Sequence, residues 1–131
     1  MTTESPELKP ARDNPHVDTQ TVVELQELLG RNKFRYLVEV FCDSSSKHSQ
    51  VLEEKQNTTD FDALYTAAHS LAGTGANMGA FVLAELCRQV EEQAKARAGR
   101  HMVMLIQGIL AEQQQVVREF VNIINAPSGG N

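Results

Sequence analysis

A histidine and three glycines stand close together in the middle of the chain, in the stretch AAHSLAGTGANMGA from Ala67 to Ala80. Among these residues the histidine, His69, carries the chemistry. A neutral imidazole is a competent nucleophile near pH 7, because the unperturbed side chain titrates near pH 6.5. The glycines Gly73, Gly75 and Gly79 set the context. A glycine inside a helix costs about 1 kcal/mol relative to alanine. A helix that accepts this cost at both Gly73 and Gly75, beside a histidine, needs another surface to come close.

The periodicity of the segment gives that idea a geometry. Leu64, Ala68, Leu71, Gly75 and Met78 repeat at helical spacing and form a buried stripe. His69 follows Ala68 and so lies about 100° around the helix from the stripe. Its own face reads Tyr65, His69, Ala72, Gly73 and Ala76, so everything C-terminal to the imidazole is small. Gly73, one turn on, removes the side chain that would shield the ring, and Gly75 lets the helix pack close to a neighbour. The competing reading, an ordinary surface histidine, leaves the two interior glycines unexplained. For His16, His48 and His101 that ordinary reading suffices: one lies in an N-terminal tail, one in a polar run and one at a helix start. No histidine pair has metal-ligand spacing with a third ligand. The chain also lacks a glycine-rich phosphate loop, a kinase nucleotide-binding segment and a nucleophile–base–orienter trio.

The elements that must position His69 are all helical. Residues 1–17 carry Pro6, Pro10 and Pro15 with few apolar side chains and read as a disordered tail, as does APSGGN at 126–131. Between them, residues 18–125 form one bundle domain. A short helix spans about Thr19 to Leu29, capped by Asp18 or by a Thr21–Glu24 capping box and stopped by Gly30. A second starts near Arg31, shows Phe34, Leu37, Val38 and Phe41 on one face, and continues to Val51 and Leu52, with a bend at the serines of DSSSKHSQ. The His69 helix begins near Thr59 or Asp60. A fourth runs from about Ala80 to Arg97 and buries Leu83, Leu86, Cys87, Val90 and Ala94. The last runs from about His101 to Asn125 along a seam of Val103, Ile106, Leu110, Val117, Phe120 and Ile124, which Gln113 interrupts at a bundle end or by binding backbone. No alternating strand pattern appears. The expected fold is all-α, an antiparallel four-helix bundle with an additional short N-terminal helix.

Composition narrows the function. The 131 residues carry a net charge of −5 with both signs interspersed, which disfavours nucleic acid and anionic membranes as partners. Arg31, Lys33 and Arg35 form at most a short basic strip. Cys42 and Cys87 sit in apolar helical patterns and read as reduced core residues. No run of 18 apolar residues exists, and the polar start lacks the apolar region of a signal peptide, so the expected compartment is the cytoplasm.

The stretch from Ala68 to Glu91, AHSLAGTGANMGAFVLAELCRQVE, resembles the histidine-containing phosphotransfer (HPt) family. The matching residues are His69, Leu71, Gly73, Thr74, Gly79, Ala80, Leu83, Leu86, Cys87 and Glu91. The helix FRYLVEVFCDSSSKHSQVL also resembles the family's second helix, and the likeness extends from Asp18 to about Asn125.

The resemblance implies a phosphorelay carrier without kinase activity of its own. It would accept a phosphoryl group on His69 from a response-regulator receiver domain, including that of a hybrid sensor histidine kinase, and pass it to another receiver. In the family the carrier needs no cofactor, the receiver brings Mg²⁺ and a lysine, and the carrier is expected to be a monomer. Gln or Glu in the next helix often bonds the phosphorylatable ring, a role carried here to Glu91. One departure stands out: the basic residue common three positions after the histidine is Ala72 in this chain. Arg88, one turn before Glu91, is the candidate cation to replace it. The alternative is a bundle that docks and sequesters a receiver without phosphotransfer.

Overall fold

The computed structural model describes residues 14–127. Among them are five helices: α1 (Thr19–Leu29), α2 (Arg31–Lys55), α3 (Phe61–Asn77), α4 (Phe81–Lys95) and α5 (Met102–Asn125). The helix starts and stops follow local chemistry. Asp18 caps α1 by accepting the Thr21 backbone N–H at 3.0 Å, and its carboxylate also accepts the Thr21 hydroxyl at 2.7 Å. The capping residue is therefore Asp18, and Thr21 is its partner. Gly30, at φ +81°, is the single non-helical residue between α1 and α2. Asp60 caps α3 by accepting the Ala63 N–H at 3.2 Å, while the Lys55 ammonium stands 3.0 Å from the same carboxylate.

Helices α2 to α5 form the bundle, and short cross-links show that neighbours are antiparallel. Arg35 donates to the Ile124 carbonyl near one end of the α2–α5 pair, and Gln107 bonds Gln56 near the other. In the α3–α4 hairpin, Gly75 lies beside Leu83 and Ala84. The core is mostly aliphatic, with Leu52, Leu64, Leu71, Leu83, Ile106, Ile109 and Val116 fully buried and Phe41 edge-on to Phe120 at 5.6 Å.

Several expectations need correction. Helix α2 runs unbroken through the serines. The buried seam of α5 is Met102, Ile106, Ile109, Gln113, Val116 and Phe120, a register rotated from the one expected, and Val103 is exposed. Gln113 lies neither at a bundle end nor on backbone. Its amide donates to Ser45 Oγ at 3.0 Å and Ser46 Oγ at 3.3 Å, and Ser45 in turn donates to the Cys42 carbonyl. The small, polar middle of α2 thus supplies the partners that a buried amide requires. Cys87 is fully buried, whereas Cys42 is half-buried.

The last part of the expected N-terminal tail is ordered. Val17 is buried in the core, Asp18 donates its N–H to the Gly79 carbonyl, and Asn14 bonds Glu119 at 2.7 Å. His16, expected to be a free surface residue, holds its Nδ1 2.9 Å from a Glu112 carboxylate oxygen. The rest of that tail and residues 128–131 lie outside the described residues.

Candidate functional site

Helix α3 buries one face and presents the next. Leu64, Ala68, Leu71 and Gly75 face the core, and His69, the next residue after Ala68, projects with its side chain 67% exposed. Three features of the local sequence define what surrounds the ring.

The first is Glu91. After α3 ends, the chain turns at Met78–Gly79 and α4 returns alongside. Gly79 has φ +83°, and a Cβ there would come within 2.9 Å of Thr21 Cβ, so only glycine fits this turn. The reversal brings Glu91, 22 positions after His69, level with it: Glu91 Oε2 lies 2.5 Å from His69 Nδ1. A carboxylate oxygen accepts, so the ring donates Nδ1–H, and in the neutral ring the free lone pair then lies on Nε2. Glu91 is mostly buried at 17% side-chain exposure, which fixes the acceptor while the imidazole reaches into solvent.

The second is the glycine pair. At Gly73 an added Cβ would meet nothing within 4 Å, so the surface one turn beyond His69 is open. At Gly75 a Cβ would stand 3.5 Å from the Ala80 carbonyl oxygen and 3.8 Å from Leu83, ordinary contact distances. The helices pack closely there, but Gly75 does not carry that closeness alone. Of the two interior glycines, only Gly73 borders open space.

The third is Tyr65, one turn before His69. Its ring is nearly parallel to the imidazole, 11° apart, with centroids 5.6 Å from each other. This offset stack was not assigned from the sequence, although an aromatic four residues before a histidine in a helix was the signal for it.

The structure separates the other two candidates. Ala72 does not share the exposed face with His69. It is 4% exposed and belongs to the core between the helices. Three residues of helix rotation carry it about 60° from His69, back toward the buried stripe. Arg88 is exposed on α4 one turn before Glu91, and antiparallel pairing sets it level with Ala72. It makes no ion pair with any described residue. Cys87 beside it feels both charges. Burial first and the Glu91 carboxylate second push its thiol up to about 12, against the opposing pull of Arg88. Among the described residues, no group of three or more His, Cys, Asp or Glu side chains is placed to hold a metal ion, and no helix is long and apolar enough to cross a membrane.

Comparisons with known proteins agree with the helical fold. The family model described as Hpt domain matches residues 37–119. The solved structure of histidine-containing phosphotransfer protein B (HptB) from Pseudomonas aeruginosa PAO1 is 29% identical, with a TM-score of 0.79 over 84% of this chain and 95% of that one. The histidine-containing phosphotransfer protein ZmHP2 from maize shares the fold at 22% identity, with a TM-score of 0.78 over 89% of this chain and 95% of that one. No curated protein matches the chain significantly.

Proposed function

The chain belongs to the Hpt domain family and is a phosphorelay carrier, and from that premise we propose that His69 Nε2 is the atom that carries the phosphoryl group. One observation supports this above the others: the Nδ1 contact with Glu91, which leaves Nε2 as the free nucleophile of a solvent-exposed ring.

The reaction balances as a direct exchange. The Nε2 lone pair attacks phosphorus on an aspartyl phosphate of a receiver domain. The N–P bond forms, the P–O bond to the aspartate breaks, and that electron pair returns to the carboxylate. Transfer onward to a second receiver is the reverse step. While phosphorylated, the ring keeps its proton on Nδ1 and becomes cationic, and the Glu91 carboxylate balances that charge. Such a transfer depends on in-line positioning and on charge neutralisation of the phosphoryl oxygens. In this reading Mg²⁺ on the receiver supplies most of that neutralisation, and the carrier contributes an oriented ring and a clear approach over Gly73. Arg88 is the carrier's nearest candidate for a supplementary cation, in place of the residue that Ala72 lacks. We read the working unit as a cytoplasmic monomer that serves a hybrid sensor kinase's receiver and a separate response regulator.

Incubation with a phosphorylated receiver tests the assignment. Acid-labile, base-stable phosphate should appear on the wild type and not on His69→Gln, with helicity and melting nearly unchanged in the exposed-site variant. Receiver binding by the wild type without any transfer would instead identify a sequestering bundle.

A further inference from the structure

The ring of His69 is held on two sides, and only one of them is Glu91. A single hydrogen bond at Nδ1 leaves the imidazole free to swing about the Nδ1–Oε2 line. The side chain is two-thirds exposed. Tyr65 removes that freedom on one flank. It lies one turn N-terminal to His69, is half-buried and therefore itself anchored, and lays its ring nearly parallel to the imidazole at 5.6 Å between centroids. Offset aromatic stacks at this separation are attractive and directional. On the opposite flank, one turn C-terminal, stands Gly73, where an added Cβ would meet nothing.

The imidazole thus has a wall on its Tyr65 side and open space on its Gly73 side. We infer that Tyr65 is a positioning residue for phosphotransfer: it holds the His69 ring in the pose that aims Nε2 at a phosphoryl donor arriving over Gly73. The inference rests on His69 being the accepting residue. It assigns Tyr65 no contact with the phosphoryl group and no proton to transfer. Its flat ring matters, and its hydroxyl does not.

Two substitutions separate the ring from the hydroxyl. Tyr65→Phe keeps the stack, and Tyr65→Ala removes it. A histidine freed from the stack keeps its one hydrogen bond but regains the χ1 wells open to a helical residue and a broad χ2, so the productive pose becomes a smaller fraction and the saturated rate of transfer from a phosphorylated receiver should fall by about three- to tenfold. The receiver concentration at half-saturation should stay the same, because the open approach over Gly73 is untouched. The ring also leaves a spectroscopic mark. In the wild type and Tyr65→Phe the His69 ring-proton NMR signals should be shifted upfield by the stacked aromatic, and in Tyr65→Ala they should return to ordinary positions.

A Tyr65→Ala protein that transfers at the full rate overturns the inference, as does one whose loss is matched by Tyr65→Phe or appears only in half-saturation. Absence of the upfield shift in the wild type overturns it as well. A wild type that takes no phosphate on His69 is a different failure, that of the phosphoacceptor assignment, and it removes the positioning role with it.

Discussion

Gly73→Leu separates the two demands made on α3, to be stable and to be approachable. Position 73 is exposed and helical, and a Cβ there would meet nothing within 4 Å. No clash opposes the substitution, so the intrinsic preference of leucine over glycine in a helix should appear in full, about 0.8 kcal/mol. For a domain of this size that corresponds to a rise in Tm of about 3–5 °C. Function should move the other way. Side chains in a helix lean toward its N-terminus, and residues four apart have Cβ atoms about 5–6 Å from each other. The leucine would therefore lean over the His69 imidazole and cover the open flank opposite Tyr65. Misplacing a reacting group by an ångström can cost two orders of magnitude, so transfer from a phosphorylated receiver should slow by tenfold or more. Gly73→Ala is the graded control, with a similar gain in stability and a smaller loss of rate. Thermal melts and a phosphotransfer time course read both arms. Wild-type transfer in Gly73→Leu would refute the idea that the glycine clears an approach, and a fall in Tm would refute the open space from which the idea starts.

Three further outcomes follow from the same geometry. Glu91→Gln keeps an acceptor for Nδ1–H but removes the charge that balances a cationic phosphohistidine; for a partly exposed pair worth roughly 0.5–1 kcal/mol, the transfer equilibrium should move about two- to fivefold toward the receiver, while Glu91→Ala should also slow transfer, and an unshifted equilibrium in Glu91→Gln would show that the carboxylate's charge is idle. Ala72→Lys should lower stability by about 1–3 kcal/mol in urea unfolding, because Ala72 is buried and the new stem must thread past the core to reach water. Where its ammonium reaches the surface it should raise the transfer rate, more in an Arg88→Ala background than in the wild type if Arg88 already serves as the cation; equal, negligible gains in both backgrounds would show that the face needs none. Cys87 keeps its proton in the folded protein up to about 12, whereas an unfolded thiol loses it near 9.0. Above pH 9 the unfolded state therefore binds fewer protons, and the wild type should lose stability relative to Cys87→Ala by about 1.4 kcal/mol per pH unit, a pH dependence absent below pH 8.

Much of this site is legible in the sequence, and the reasons are local. Helical periodicity placed Leu64, Ala68, Leu71, Gly75 and Met78 on the core side of α3 and so left His69 exposed. The turn at Gly79 fixed the hairpin, and hairpin register alone brought Glu91 to the ring. Where the reading failed, burial depended on partners far along the chain. Ala72 lies about 60° from His69 on the helix, close enough to pass for the same face. Only the packing of neighbouring helices decides that its methyl is inside. The α5 register slipped for the same reason. Val103 and Leu110 suit a core seam as well as Met102 and Ile109 do, and the choice between them depends on which side meets α2, where Ser45 and Ser46 await Gln113. His16 shows a third kind of miss. A proline-bearing polar segment gives no sign of order in its own sequence, and its order comes from Glu112 and Glu119, about a hundred residues away. The Tyr65 stack was within reach, since i and i+4 aromatics meet on a helix, but a tyrosine on a half-buried face has many other reasons to be there.

The central claim is that the Glu91 contact makes Nε2 of His69 the nucleophile. NMR of the isotopically labelled protein, phosphorylated by its receiver, tests this most directly, because ³¹P coupling to ring nitrogens and protons tells the two phosphohistidine isomers apart. A single phosphate should appear on His69 Nε2, with the Nδ1 proton retained and protected from exchange by Glu91. Phosphate on Nδ1, or on any other side chain while His69 stays unmodified, would contradict it.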